Sequence, residues 1–118
     1  MIVAIVDDLL FGSKIRAAAE AAGRRVTFVR HGGRVEDAAR VAGASLVIVD
    51  LAGSGAADAI RAVRALEGPR IPIVAFASHL RADLIAEARA AGADRVLARS
   101  AFVTELPTLV TGSGAAAP

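Results

Sequence analysis

Cysteine, tryptophan and tyrosine are missing from these 118 residues, and there is a single lysine and a single methionine. The missing thiols exclude disulfide frameworks, thiol catalysis and cysteine-ligated zinc together. The two histidines, His31 and His79, stand far apart, with no HExxH pattern and no paired-ligand spacing. Aromatic residues make up 3% of the chain, all of them phenylalanine. A core must therefore be assembled from Val, Ile, Leu and Ala. Long apolar runs are lacking too. The opening stretch Met1–Val6 stops at Asp7 and Asp8, far short of the roughly 20 residues needed to span a bilayer, and shows no basic leader or cleavage site. A cytoplasmic domain without a membrane partner is expected.

Charge of one sign is also scarce. Fourteen basic residues against twelve acidic ones leave a net charge of +2. The isoelectric point of about 10.4 reflects arginine, which titrates far above neutrality, rather than a basic surplus. No basic run occurs, so a nucleic-acid partner is not expected. What is present is apolar: 55% hydrophobic and 22% charged residues suit one packed domain and argue against disorder.

Five short apolar runs read as strands: Ile2–Val6, Val26–Val29, Leu46–Val49, Ile71–Ala77 and Arg95–Ala98. Between them, apolar residues recur at helical spacing. The first set is Ile15, Ala18, Ala19 and Ala22, and the second Val35, Ala38, Ala39 and Ala42. The third is Ala56, Ile60 and Val63, and the fourth Leu80, Leu84, Ala88 and Ala91. Gly23, Gly43, Gly68 and Gly92 follow the four segments, where a helix end often needs a left-handed residue. Such alternation predicts βαβ units, hence a parallel sheet covered on both faces. The second and fifth runs carry the most polar residues and suit edges. With right-handed crossovers, the expected fold is α/β, three-layer and five-stranded, in order 2-1-3-4-5. Near the end, Thr104 is expected to cap a two-turn helix that tolerates Pro107 in its first turn. Residues 1–111 form the expected domain, and residues 112–118 have the composition of a flexible tail.

Ligands of open α/β sheets bind beyond the carboxyl ends of the strands, where the strand order reverses. In this order that point lies between the first and third strands, which end at Asp7, Asp8 and Asp50. Three uncompensated carboxylates would repel one another, and three oxygen ligands in one cleft suit a hard cation such as Mg²⁺. A dinucleotide is disfavoured, because acids stand where a Gly-rich turn would be needed.

Ile5-Val-Asp-Asp8, Leu46-Val-Ile-Val-Asp50, Ile71-Pro-Ile-Val74, Ala91-Gly-Ala-Asp94 and Val96-Leu-Ala-Arg99 occur in that order across nearly the whole chain. In this the sequence resembles the response-regulator receiver domain of two-component signalling, a flavodoxin-like fold. The resemblance implies that Asp50 is the phosphoacceptor of a partner histidine kinase. It implies weak Mg²⁺ binding by Asp7, Asp8, Asp50 and the Ala52 carbonyl. It also implies a signalling module, with no enzymatic activity beyond self-catalysed phosphoryl transfer at Asp50.

The departures from the family pattern are as informative. The family's Ser or Thr at the end of the fourth strand is replaced by Ala77; Ser78 next door is read first as a loop or N-cap hydroxyl before the fourth helix and second as a surrogate for the missing hydroxyl. The family's Lys after the fifth strand becomes Arg99, which is planar, longer and not equivalent in a tight pocket. An ion pair between Arg99 and Asp50 is expected in preference to a phosphate-binding role. The aromatic switch position is Val96, and Ala52-Gly-Ser-Gly55 replaces the usual Met-Pro turn, its glycines read as a flexible turn. This pattern implies a degenerate receiver acting through a protein partner, with an active phosphoacceptor on Asp50 as the alternative. On the fourth helix, Leu84 and Ile85 stand side by side, so either one of them reaches the surface or both belong to a wide apolar core face. Arg81, Arg89, Arg95 and Arg99 read mainly as a solvated face.

Overall fold

The computed structural model describes residues 1–53, 55–78 and 81–111. Expectations for His79, Leu80 and the tail lie outside these residues. Five strands, β1 (Ile2–Ile5), β2 (Val26–Val29), β3 (Leu46–Asp50), β4 (Ile73–Ala77) and β5 (Arg95–Ala98), form one parallel sheet in order 2-1-3-4-5. Helices α1 (Leu9–Ala21), α2 (Val35–Ala42), α3 (Ala56–Arg64), α4 (Ala82–Ala91) and α5 (Arg99–Val110) alternate with them. The three central strands are buried throughout, whereas β2 and β5 are half-buried. Apolar runs thus mark the centre of the sheet and mixed runs its edges.

Alternate strand residues face opposite layers. Ile2, Ala4, Leu46, Ile48, Val74 and Phe76 pack beneath α1 and α5, against Phe11, Ile15, Phe102 and Leu106. Val3, Ile5, Val47, Val49, Ile73 and Ala75 face α2, α3 and α4, against Val35, Ile60, Val63 and Ala88. All four phenylalanines lie in the first layer, three of them buried and Phe28 packed half-buried against them. The Phe76 and Phe102 rings stack at 4.5 Å, and Phe11 lies 4.7 and 5.7 Å from them. Each fully buried ring of this kind contributes roughly 1.5–3 kcal/mol. Gly43 ends α2 at φ 61°, in the left-handed region expected of it.

Several boundaries differ from expectation for identifiable reasons. β4 starts at Ile73 because Pro72 has no N–H to donate to the ladder, though its carbonyl accepts from Val47 at 2.9 Å. β1 stops one residue short of Val6, which is nevertheless buried. β3 reaches Asp50, paired opposite Phe76.

The last helix is the clearest correction. Thr104 is not its cap. α5 begins at Arg99, directly after β5, and Pro107 lies inside it. An interior proline costs about 3 kcal/mol, and burial of Phe102, Leu106, Leu109 and Val110 on one face outweighs that loss. On α4, Leu84 and Ile85 are both half-buried, so neither is singled out for the surface; Ala88 and Ala91 make the buried contacts.

Candidate functional site: the carboxyl ends of β1, β2 and β3

The topology brings Asp7, Asp8 and Asp50 to the same end of the sheet, and each meets a protein donor there. Asp50 is the one buried charged residue among those described, 5% exposed. Its Oδ1 accepts the Ala52 N–H at 2.9 Å, closing the turn that leaves β3. Ala52 therefore reaches the site through its amide. Asp8 is exposed and is the N-cap of α1, where its Oδ1 accepts the Phe11 N–H at 3.0 Å. A carboxylate at this position also meets the positive end of the helix dipole.

Asp7 belongs to His31. The His31 Nδ1 lies 2.9 Å from Asp7 Oδ2, and the His31 backbone N–H donates to Asp7 Oδ1 at 3.2 Å. The other ring nitrogen, Nε2, lies 2.8 Å from the Asp50 carbonyl oxygen. His31 was not singled out as a site residue by sequence, because no spacing joins it to any acid. The sheet register joins them. Val29 pairs with Ile5 and Ile5 with Val49, so His31 and Asp7 stand two residues beyond paired positions on neighbouring strands. The imidazole thus links the end of β1, at the Asp7 carboxylate, to the end of β3, at the Asp50 carbonyl.

Both ring nitrogens face acceptors. A neutral imidazole has one N–H, so only the doubly protonated ring donates to both. Burial of the ring works against the charge. The Asp50 carbonyl and the Asp7 carboxylate outweigh that penalty and hold the His31 pKa above its ordinary value. Reciprocally, the hydrogen bond from His31 holds the Asp7 carboxyl below the usual range. The ring is 8% exposed, while Asp7 is 55% exposed.

Gly53 completes the enclosure. A Cβ there would overlap the His31 ring, so glycine is required because the backbone passes directly against the imidazole. The expected flexible turn is thus a close approach at Gly53. At Gly55, the N-cap of α3, a φ of 79° gives glycine a second reason. Ser54, between them, lies outside the described residues.

The expected ion pair between Arg99 and Asp50 is not formed among the described residues. The Arg99 guanidinium lies 4.8 Å above the Phe11 ring centroid, and its Nε is buried without a hydrogen-bond partner. The start of α5 at Arg99 fixes the side chain beside α1, where a planar guanidinium can lie flat on an aromatic face. Ala77 is buried at the end of β4, and Ser78 beyond it is exposed. Asp8, Lys14, Ser78, Arg99 and Ser100 line a cavity of about 650 Å³ that includes neither Asp7 nor Asp50. The sequence-predicted residues therefore fall into two groups: Asp7 and Asp50 with His31, and Asp8, Ser78 and Arg99 beside α1 and α5. Of the four arginines read as a solvated face, Arg81 pairs with Asp83 and Arg95 with Glu105.

Mg²⁺ does not fit the first group as it stands. Each Asp7 oxygen already accepts from His31, Asp8 caps its helix, and the position bridging Asp7 to the end of β3 is filled by an imidazole. Among the described residues, no group of three or more His, Asp or Glu side chains is disposed to hold a metal ion.

No protein-family model matches the chain, and neither does any curated protein. Solved structures do. A response regulator from Hahella chejuensis is 20% identical with a TM-score of 0.79, the match covering 98% of this chain and 95% of that one. A response regulator from Burkholderia pseudomallei, solved with a phosphorylated aspartic acid, a calcium ion and citrate, is 21% identical (TM-score 0.69; 99% and 74% covered). An atypical orphan response regulator with a phosphorylation-independent regulatory mechanism is 15% identical (TM-score 0.73; 92% and 93% covered). At these identities the likeness establishes the fold. The chain has the flavodoxin-like fold of response-regulator receiver domains. Among the described residues no helix is long and apolar enough to cross a membrane.

Proposed function

We propose that this chain is a receiver-like signalling module, without enzymatic activity, that acts by binding a partner protein, and that Asp50 is a poor phosphoacceptor. The observation that carries this reading is the arrangement around Asp50. Arg99 is committed to Phe11, Ala77 offers no hydroxyl, and Asp7 is held by His31. Charge stabilisation of a transferring phosphoryl group needs cations and donors aimed at its oxygens. Here the cation of β5–α5 and the carboxylate of β1 are turned to other partners.

The second reading, an active phosphoacceptor serving a histidine kinase, is favoured by Asp50 itself. It is buried at the end of β3, and one protein of like fold carries a phosphorylated aspartate. Incubation with acetyl phosphate and Mg²⁺, followed by intact-mass and amide-exchange measurements, separates the two. Low occupancy and unchanged exchange across α4 are expected. High occupancy that disappears in Asp50→Ala, with new protection of α4, establishes the second reading instead.

A further inference from the structure

We propose that the His31 side chain is the resident occupant of the carboxylate cleft. It holds Asp7 and the Asp50 carbonyl together and excludes divalent cations from the position between them. The geometry carries this without reference to any activity. Three contacts converge on one residue: the ring to Asp7 Oδ2 at 2.9 Å, the ring to the Asp50 carbonyl at 2.8 Å, and the backbone N–H to Asp7 Oδ1 at 3.2 Å. A cation placed between Asp7 and the Asp50 carbonyl would have to displace the ring that bonds to both. The ring also closes the space sterically, because the backbone at Gly53 lies against it so closely that even a methyl group would collide.

A side chain that fills a ligand position reduces apparent affinity by the fraction of molecules in which it has swung out. If the ring is displaced in less than about 1% of molecules, affinity falls by more than roughly a hundredfold, which puts saturation beyond the cation concentrations titrated. Removing the ring should return that factor. Asp7 and Asp50 then stand at the same sheet end with oxygen ligands released, a donor set that suits a hard, partly hydrated cation. The inference rests on the receiver reading only for the kind of cation expected. Its test reads cation binding, so a failure here leaves the phosphoacceptor measurement standing, and the converse.

The experiment is a titration of ¹⁵N-labelled full-length chain with Mn²⁺, read as paramagnetic broadening of the amides of Asp7, Asp8 and residues 50–53, with Mg²⁺ competition. Wild type should show no saturable broadening localised there. His31→Gln and His31→Ala should bind at least about a hundredfold more tightly, with the new site lost again on adding Asp7→Asn. Equal affinity in wild type and variants overturns the proposal, as does a well-dispersed variant spectrum with no binding.

If both variants fail to fold, wild type alone decides the matter. The ring resonances of His31, assigned with the help of His79→Gln, should be unmoved by excess Mg²⁺. A saturable shift of those resonances means the ring yields its place to the cation, and the proposal fails.

Discussion

Two carboxylates at opposite ends of the sheet have each drawn in a cation from the chain itself, and they have done so differently. At the amino ends of β4 and β5, Asp94 takes Arg64 at 2.6 Å and Arg70 at 2.7 Å on separate oxygens, and its Oδ2 also accepts the Ile73 N–H at 2.8 Å. Arg64 further donates to the Gly92 and Ile71 carbonyls. At the carboxyl ends, Asp7 takes one histidine. Guanidinium stays charged at every pH a protein survives, whereas imidazolium does not. The first cluster is a permanent fastening between elements, and the second is conditional on one proton. Ends of strands that only need joining can use arginine. In the fold's ligand-binding position stands a group whose charge depends on pH.

The largest effect should come from breaking the permanent cluster. Asp94→Asn leaves Arg64, 16% exposed, with two carbonyls and no counter-charge, and weakens the tie between β4 and β5. Removing one member of a buried pair costs about 3–5 kcal/mol. Asp94 is 21% exposed and Arg70 lies largely in solvent, so about 2–3 kcal/mol is expected after discounting for screening. Urea unfolding monitored by circular dichroism measures it. A loss smaller than that of His31→Gln at pH 6 would reverse the ranking of the two clusters.

His31→Gln should cost less, about 1 kcal/mol for charge-assisted bonds in part exchanged for an amide's, and its cost should depend on pH. The His31 pKa is raised in the folded state, so its contribution is complete below the unfolded value near 6.5 and is lost as pH rises through the folded value. Asp94 runs the other way. Burial opposes its charge, but the Arg70 hydrogen bond, the Ile73 N–H and the charges of Arg64 and Arg70 hold its carboxyl below the ordinary range. Its contribution is complete above roughly pH 4 and is lost as pH falls through the lower folded value. Stability should therefore be flat between about pH 4 and 6.5, with an alkaline decline that His31→Gln abolishes and an acid decline that it only reduces, because the Asp7 share depends on His31 and the Asp94 share does not. An alkaline decline unchanged in His31→Gln would show that the ring carries no linked proton.

The two clusters also differ in how visible they were in the sequence. Strand order, the three-layer architecture and the meeting of Asp7, Asp8 and Asp50 at one end of the sheet follow from apolar periodicity, because burial on two faces or one leaves a direct mark on residue order. The role of His31 left no such mark. It arises from neighbouring positions on separate strands, and it becomes readable only once the order 2-1-3 is laid out and residues two past each strand are compared. Gly53 was misread for the same reason, since its partner lies 22 residues earlier in the chain. At Pro107 the local rule pointed to a short helix, and tertiary packing of Phe102 and Leu109 overrode it. At Arg99 a charge rule pointed to Asp50, and an aromatic face nearby took the guanidinium instead.

Arg99 sharpens the comparison as a third case, a cation with no carboxylate partner among the described residues, and its replacement should have the smallest effect. Stacking on Phe11 at 4.8 Å contributes about 0.5–1 kcal/mol at a partly exposed site. Against this, the buried Nε without a partner carries a desolvation cost of about 1–3 kcal/mol. Methionine keeps an unbranched stem over the ring and adds a favourable sulfur–aromatic contact. The opposing contributions nearly cancel, so Arg99→Met should leave stability within about 1 kcal/mol of wild type or raise it slightly. The change should be insensitive to salt, because no ion pair is lost. Unfolding in urea at low and high NaCl checks both points. A loss above about 2 kcal/mol that shrinks at high salt would be the signature of a charged partner for Arg99. The cation beside α5 would then belong with the carboxylate-bound cations at the two ends of the sheet, rather than standing apart on its aromatic ring.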